Sequence, residues 1–265
     1  MQTTMDIKSC CAALYQSDWA RLLLGGSFHP GGLALTRHLG ILLDLQPGQR
    51  VLDVAAGPGN SAIFLAQQFG CEVIGLDYSA ELVEQATARA EEAGLSHLVR
   101  FEQGDAERLR FAADSFDALI CECAFCTFPD KSAVAHEFAR VLRPGGQLGL
   151  NDLTRAGKAL PPALEGLLAW LACIADARPV AEYVTCFEQA GLRVEQVESH
   201  NAALVGMIKE IQARLLGAEV LVKLKKVDLP GVDFEQAKIM ARAAAEAARQ
   251  GQLGYVLLVA ARPSN

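Results

Sequence analysis

Apolar residues recur along this chain with two alternating periods. Short apolar runs predict strands near residues 50–54, 72–77, 98–102, 117–122, 147–151, 192–199 and 254–261. Helical spacing predicts helices near 7–24, 31–44, 60–69, 79–93, 131–142, 161–175, 179–190, 202–216 and 233–249. Ser79 and Asp130 stand where helix N-caps are expected, because a short oxygen-bearing side chain there accepts from an otherwise unpaired backbone N–H. From about residue 50 to residue 151 strand and helix alternate. That alternation predicts an α/β fold: a doubly wound parallel sheet that offers ligand sites at the carboxyl ends of its strands.

The first such strand, Val51-Leu52-Asp53-Val54, runs into Ala55-Ala56-Gly57-Pro58-Gly59-Asn60 and then a helical pattern. A turn this poor in side chains, followed by unpaired N–H groups at a helix start, predicts a nucleotide-type ligand above the strand end. Two occupants fit the spacing. Gly57-Pro58-Gly59-Asn60-Ser61-Ala62 matches the dinucleotide fingerprint, and Asp77 ends the next apolar run where a ribose-binding carboxylate belongs. Against a pyrophosphate stands Asp53, an acid near the same strand end, which suits a cationic ligand better.

The segment Asp53-Val54-Ala55-Ala56-Gly57-Pro58-Gly59 resembles the first motif of class I S-adenosylmethionine-dependent methyltransferases, with Ala55 in place of that family's first glycine. Gly104-Asp105-Ala106-Glu107 is similar to its adenine-binding turn, and Arg143-Pro144-Gly145-Gly146 to its turn into the fifth strand. The resemblance implies a mostly parallel seven-stranded sheet whose final two strands form an antiparallel pair at the sheet edge. It implies an N-terminal helical lid over 1–46, a cofactor-binding core over 47–200, a helical insertion over 201–252 and a closing core strand in 253–265. It also implies that Asp53, Ala55, Gly57, Gly59, Asp77, Tyr78, Asp105, Ala106 and Cys121 surround S-adenosyl-L-methionine, with S-adenosyl-L-homocysteine as product.

Composition narrows the partners. At 265 residues and 51% hydrophobic the chain can bury a sizeable core, and a net charge of −7 argues against nucleic acid as substrate. Lys223, Lys225 and Lys226 form the densest basic run, read as a solvated face. No apolar stretch reaches the ~20 residues needed to span a bilayer, and Met1–Asp6 lacks the basic start of a signal peptide. The expectation is a cytoplasmic protein acting on a small molecule or metalloid, with no nucleic acid or membrane partner and an oligomeric state left open. Its eight cysteines are then expected as thiols.

Methyl transfer needs an in-line acceptor beside the donor, water kept out, and a base if the acceptor carries a proton. Over the fourth strand end the chain offers Cys121-Glu122-Cys123-Ala124-Phe125-Cys126, with Asn151-Asp152 beyond. Period-two alternation puts Cys121 and Cys123 on one face and Cys126 in the loop. Cys123 and Cys126 also have the spacing of a redox pair or half a zinc site, but no second such pair supports a resident metal. The stretch from Cys123 to Lys131, with Ala169 to Ala177, resembles the two segments of arsenite methyltransferases that each supply a metalloid-binding cysteine, implying Cys123 and Cys173. A third thiolate would come from Cys10, Cys11 or Cys126, since Gly25-Gly26-Ser27-Phe28-His29 lacks that family's pre-core cysteine. The same gap leaves open a small organic acceptor such as a quinone-like ring or thiol, or a metalloid binder without catalysis. His29 and Glu122 are candidate bases, Glu122 also a candidate counter-charge to the sulfonium with an exposed loop acid as its alternative; His29, like Tyr15, Asp18 and Trp19, could also touch the cofactor's methionine end, with helix packing the alternative for the two aromatics. Tyr15, Asp18 and Trp19 fall in the lid, and Cys71 and Cys186 read as structural.

Overall fold

The computed structural model describes residues 29–157, 160–164, 174, 176–226 and 233–264. Its elements are α1 (Gly32–Leu42), β1 (Arg50–Val54), α2 (Asn60–Phe69), β2 (Glu72–Asp77), α3 (Ala80–Glu92), β3 (Val99–Gln103), β4 (Phe116–Glu122), α4 (Lys131–Val141), β5 (Leu142–Arg155), α5 (Val180–Gln189), β6 (Arg193–Ser199), α6 (Asn201–Lys223), α7 (Phe234–Arg249) and β7 (Leu253–Ala261). The expected helix at 7–24 lies outside the described residues, as does most of 161–175, where Pro162–Leu164 is a short 3₁₀ turn.

The seven strands lie in the order β3-β2-β1-β4-β5-β7-β6. Every pairing from β3 to β5 is parallel, while β7 runs antiparallel to both β5 and β6. The sheet is therefore the doubly wound, mostly parallel one expected. Two parallel strands buried on both faces read as unbroken apolar runs, which is why Val51, Leu52 and Val54 of β1 and Leu119, Ile120 and Cys121 of β4 are all enclosed. The parallel pairing puts all five of these strands' carboxyl ends, from Gln103 round to Asn151, at one edge of the sheet.

Both sequence-predicted caps form. Ser79 Oγ accepts from Leu82 N at 3.0 Å and Asp130 Oδ1 from Ala133 N at 2.9 Å. Two elements exceed their expected lengths. β5 starts at Leu142 because the strand pairs on either side of a bulge, Phe116 with Leu142 and then Ala118 with Gln147, so Arg143-Pro144-Gly145-Gly146 loops out within it. α6 continues to Lys223 because Gly217 is followed by helix-compatible residues with no breaker, and the Lys223–Glu219 pair at 2.7 Å spans its last turn. α1 buries Leu35 and Leu39, the latter against Gly149 of β5, and α6 and α7 occupy the chain between β6 and β7. Among the described residues no helix is long and apolar enough to cross a membrane.

Candidate active site

A cleft of about 960 Å³, counting the part open to solvent, lies over the carboxyl ends of β1, β2, β3 and β4. Val54, Ala55, Gly57 and Pro58 form its floor; Leu76, Asp77, Tyr78 and Leu82 one wall; Gly104, Asp105 and Ala106 another. Glu122, Cys123, Ala124, Thr127 and Phe128 close the far side. Most of the cofactor residues expected from sequence thus share one cavity: Ala55, Gly57, Asp77, Tyr78, Asp105 and Ala106. Asp53, Gly59 and Cys121 do not reach its lining, and the structure places each of them one layer back.

Gly57 and Gly59 serve different purposes. Both have left-handed backbones, at φ 54° and 82°. A Cβ on Gly57 would meet nothing within 4 Å, so a ligand has open access to that stretch of backbone. A Cβ on Gly59 would sit 2.5 Å from the Phe101 ring and 2.9 Å from Ala86, so Gly59 is needed for packing under the turn. Ala55 also has a left-handed φ, 60°, where the resembled motif carries glycine. Cβ sterics there cost about 1–2 kcal/mol.

Asp77 is held by backbone donors at the cavity wall. Its Oδ2 accepts from Gly57 N at 2.8 Å and its Oδ1 from Ser79 N at 2.9 Å. Asp105 Oδ1 accepts from Glu107 N at 3.0 Å, which sets the turn that carries Ala106 into the wall. Asp53 is 2% exposed, and among the described residues its Oδ2 has no hydrogen-bond partner. Burial, then the charges of Glu122 and Asp77, push its carboxyl well above the ordinary range. Burial raises Asp77 as well. Asp77, Asp105 and Glu122 line the cavity and Asp53, with its unsatisfied buried oxygen, lies behind the floor, a set of acids that suits a positively charged ligand carrying ribose hydroxyls. S-adenosylmethionine has both features, and the open backbone at Gly57 admits it.

Glu122 is not an exposed loop acid. It ends β4 with its side chain 4% exposed and accepts from Thr36 Oγ1 at 3.0 Å, Ser61 Oγ at 2.5 Å and Asn151 Nδ2 at 2.7 Å. His29 Nε2 lies 3.6 Å from it and 3.4 Å from Thr36 Oγ1. Four elements, namely the start of α1, α2, β4 and β5, thereby converge on one carboxylate beside the cavity. Thr36 and Ser61 carry no sequence signal for this role, since each sits in an amphipathic helix where a hydroxyl is unremarkable.

The cysteines separate. Cys123 lines the cavity with a left-handed φ of 55°, held by its N–H to Asn151 O at 2.6 Å. Cys123 lies past the end of β4 on this reversed backbone, so the strand alternation expected to pair it with Cys121 does not extend to it. Cys121 is fully enclosed, and burial followed by Asp152 and Asp53 pushes its thiol well up. Cys126 is 1% exposed in the 3₁₀ turn Phe125–Thr127, outside the cavity lining, with its N–H bound to Asp152 Oδ2 at 2.9 Å. Cys10, Cys11 and Cys173 lie outside the described residues. Tyr255, unmarked in the sequence, is fully buried on β7, and its hydroxyl has no partner among the described residues. The charges of Cys123 and Glu122 contribute, after burial, to pushing that hydroxyl's pKa up.

Comparison with known proteins agrees with this geometry. Residues 51–146 match a family model described as a methyltransferase domain. The chain is 32% identical over 235 residues to the methyltransferase GfsG of Streptomyces halstedii, covering 88% of this chain and 81% of that one. It is 32% identical over 231 residues to the 27-O-demethylrifamycin SV methyltransferase of Amycolatopsis mediterranei, covering 86% and 83%. A Haemonchus contortus phosphoethanolamine N-methyltransferase 2, solved with S-adenosyl-L-methionine, shares the fold at TM-score 0.82 and 17% identity, over 97% of this chain and 60% of that one. The chain belongs to the class I S-adenosylmethionine-dependent methyltransferases. It is an enzyme of that class, and S-adenosyl-L-methionine is its methyl donor.

Proposed function

We propose that this enzyme methylates a hydroxyl of a small organic molecule, with Glu122 and His29 handling the acceptor's proton. The observation that carries the reading is the buried carboxylate of Glu122, fixed by three side-chain donors beside the cavity and 3.6 Å from an imidazole. When bound, S-adenosylmethionine supplies a methyl group already activated by its sulfonium. On this reading Asp77 takes the ribose hydroxyls, Gly57 gives the backbone its close approach, and Asp105 with Ala106 borders the adenine. Asp53 stands behind the floor as a counter-charge, Glu122 offsets the cation at the reacting end, and His29 accepts the hydroxyl proton as the oxygen attacks. The hydroxyl-bearing acceptor named for the Amycolatopsis relative supports an oxygen nucleophile.

Arsenite is the competing acceptor, because Cys123 does face the cavity. Among the described residues Cys123 is the one thiol that lines it, and a three-thiolate cup would have to draw on Cys173 with Cys10 or Cys11. Labelled methyl transfer should be measured to hydroxyl-bearing acceptors, 27-O-demethylrifamycin SV among them, and in parallel to arsenite with a thiol. The expected result is transfer to an organic hydroxyl that survives Cys123→Ser and falls by about 10²-fold or more in His29→Ala. Turnover of arsenite alone, abolished by Cys123→Ser, would overturn it.

A further inference from the structure

On the far side of α1 from Thr36, three side chains that the methyl-transfer reading does not use meet one another. His38 comes from α1, Glu198 from the end of β6 and His200 from the residue before α6. His38 Nε2 lies 2.8 Å from Glu198 Oε2, and His200 Nε2 lies 2.9 Å from the same oxygen. The two rings are 5.9 Å apart at 63°, and one ligating atom from each residue falls within 4.8 Å of the others. Glu198 Oε1 accepts from Gln196 Nε2 at 2.6 Å, which fixes the carboxylate's rotation as an outer-sphere partner does at metal sites. The side chains are 41%, 27% and 25% exposed for His38, Glu198 and His200, so solvent and a hydrated ion reach them.

We propose that His38, Glu198 and His200 bind a divalent transition cation of the zinc type. Two imidazoles and one carboxylate are a borderline donor set, matched to zinc, cobalt or nickel and poorly matched to magnesium or calcium, which take oxygen ligands. Tetrahedral zinc with bonds of about 2.0–2.2 Å spaces its ligand atoms slightly wider than these contacts, a gap closed by small side-chain rotations. The cation replaces both imidazole-to-carboxylate hydrogen bonds, the imidazoles carry their protons on Nδ1, and water completes the shell. It thereby cross-links α1, β6 and the start of α6. Glu198 pairs in register with Leu257, which pairs with Asn151, so the site lies at the same sheet end as the cofactor cavity.

The test uses the full chain stripped with a chelator and then titrated with cobalt(II) or zinc(II). Cobalt is expected to bind one equivalent at this site, giving weak visible bands of a nitrogen–oxygen shell. His38→Ala and His200→Ala should each weaken that uptake at least tenfold. Zinc should raise the melting temperature of the unmodified chain, a chelator should reverse the rise, and neither alanine variant should show it. Glu198→Gln, which keeps the size and an acceptor oxygen, separates loss of binding from loss of folding: it should melt normally in chelator and still bind cobalt weakly. No saturable uptake, uptake undiminished in the histidine variants, or a spectrum of cobalt–thiolate charge transfer unchanged by them would each overturn the proposal. Because none of these readouts is methyl transfer, the result stands apart from the acceptor question.

Discussion

At Ala55 a single methyl group sits on a backbone that prefers none. Its φ of 60° falls at the position where the resembled motif has glycine, so Ala55→Gly is expected to stabilise the chain by about 0.5–1 kcal/mol, the relief of Cβ strain outweighing glycine's entropy. A denaturant melt that shows loss of stability instead would refute this. Asp53 gives a second expectation. Burial holds its carboxyl protonated well beyond the ordinary value near 3.8, so the stability gained by keeping it neutral is full below that value and fades as pH rises through the folded one. A cation in the cavity favours the ionised form. S-adenosylmethionine should therefore bind with proton release and tighten as pH rises, more than S-adenosylhomocysteine, whose sulfur is neutral. Calorimetry in buffers of different ionisation enthalpy reads the released protons, and equal pH dependence for the two ligands would exclude the effect. Gly57, Asp77 and Asp105 were legible as cavity-lining positions because each stands at the carboxyl end of a strand read from its apolar run. Thr36, Ser61 and His29 were not legible as partners of Glu122, since their meeting depends on how helices pack across the sheet end.

Elements were legible where one rule dominated. The strand pattern and the two caps followed from apolar runs and from Ser79 and Asp130. The bulge within β5 did not, because Pro144 and two glycines read as a turn between elements and only the pairing with β4 carries the strand through them. The 3₁₀ turn after β4 deserves its own test. Phe125 is fully buried and packs its ring 4.8 Å from Phe187 and 5.5 Å, edge-on, from Tyr183, so one aromatic pins the loop that presents Cys123 to the cavity. Phe125→Ala is expected to cost about 3–5 kcal/mol and to loosen that loop. Asp130→Ala, which removes the cap of α4 a few residues on, should cost only about 1 kcal/mol. Comparable losses from the two variants in chemical denaturation would show that the ring is not the anchor.

For the molecule as a whole, β7 decides the architecture. It lies between β5 and β6, and every residue from Tyr255 to Ala261 is buried, so strands separated by about a hundred positions meet only when the carboxyl-terminal stretch arrives. Ending the chain at residue 252 should leave β6 unpaired and give a product without cooperative unfolding by circular dichroism; a sharp transition in that fragment would contradict the assignment. The same sheet holds the Phe101 ring against both Gly59 and Gly75, where an added Cβ would come within 2.5 Å of it. That ring acts as a wedge locking the first turn to two neighbouring strands, and it leaves the donor side almost no freedom to vary. On the proposed reading, changes that redirect this enzyme to a new acceptor belong around Cys123 and His29, and a library confined to those stretches should lose far fewer members to misfolding than one that includes the floor.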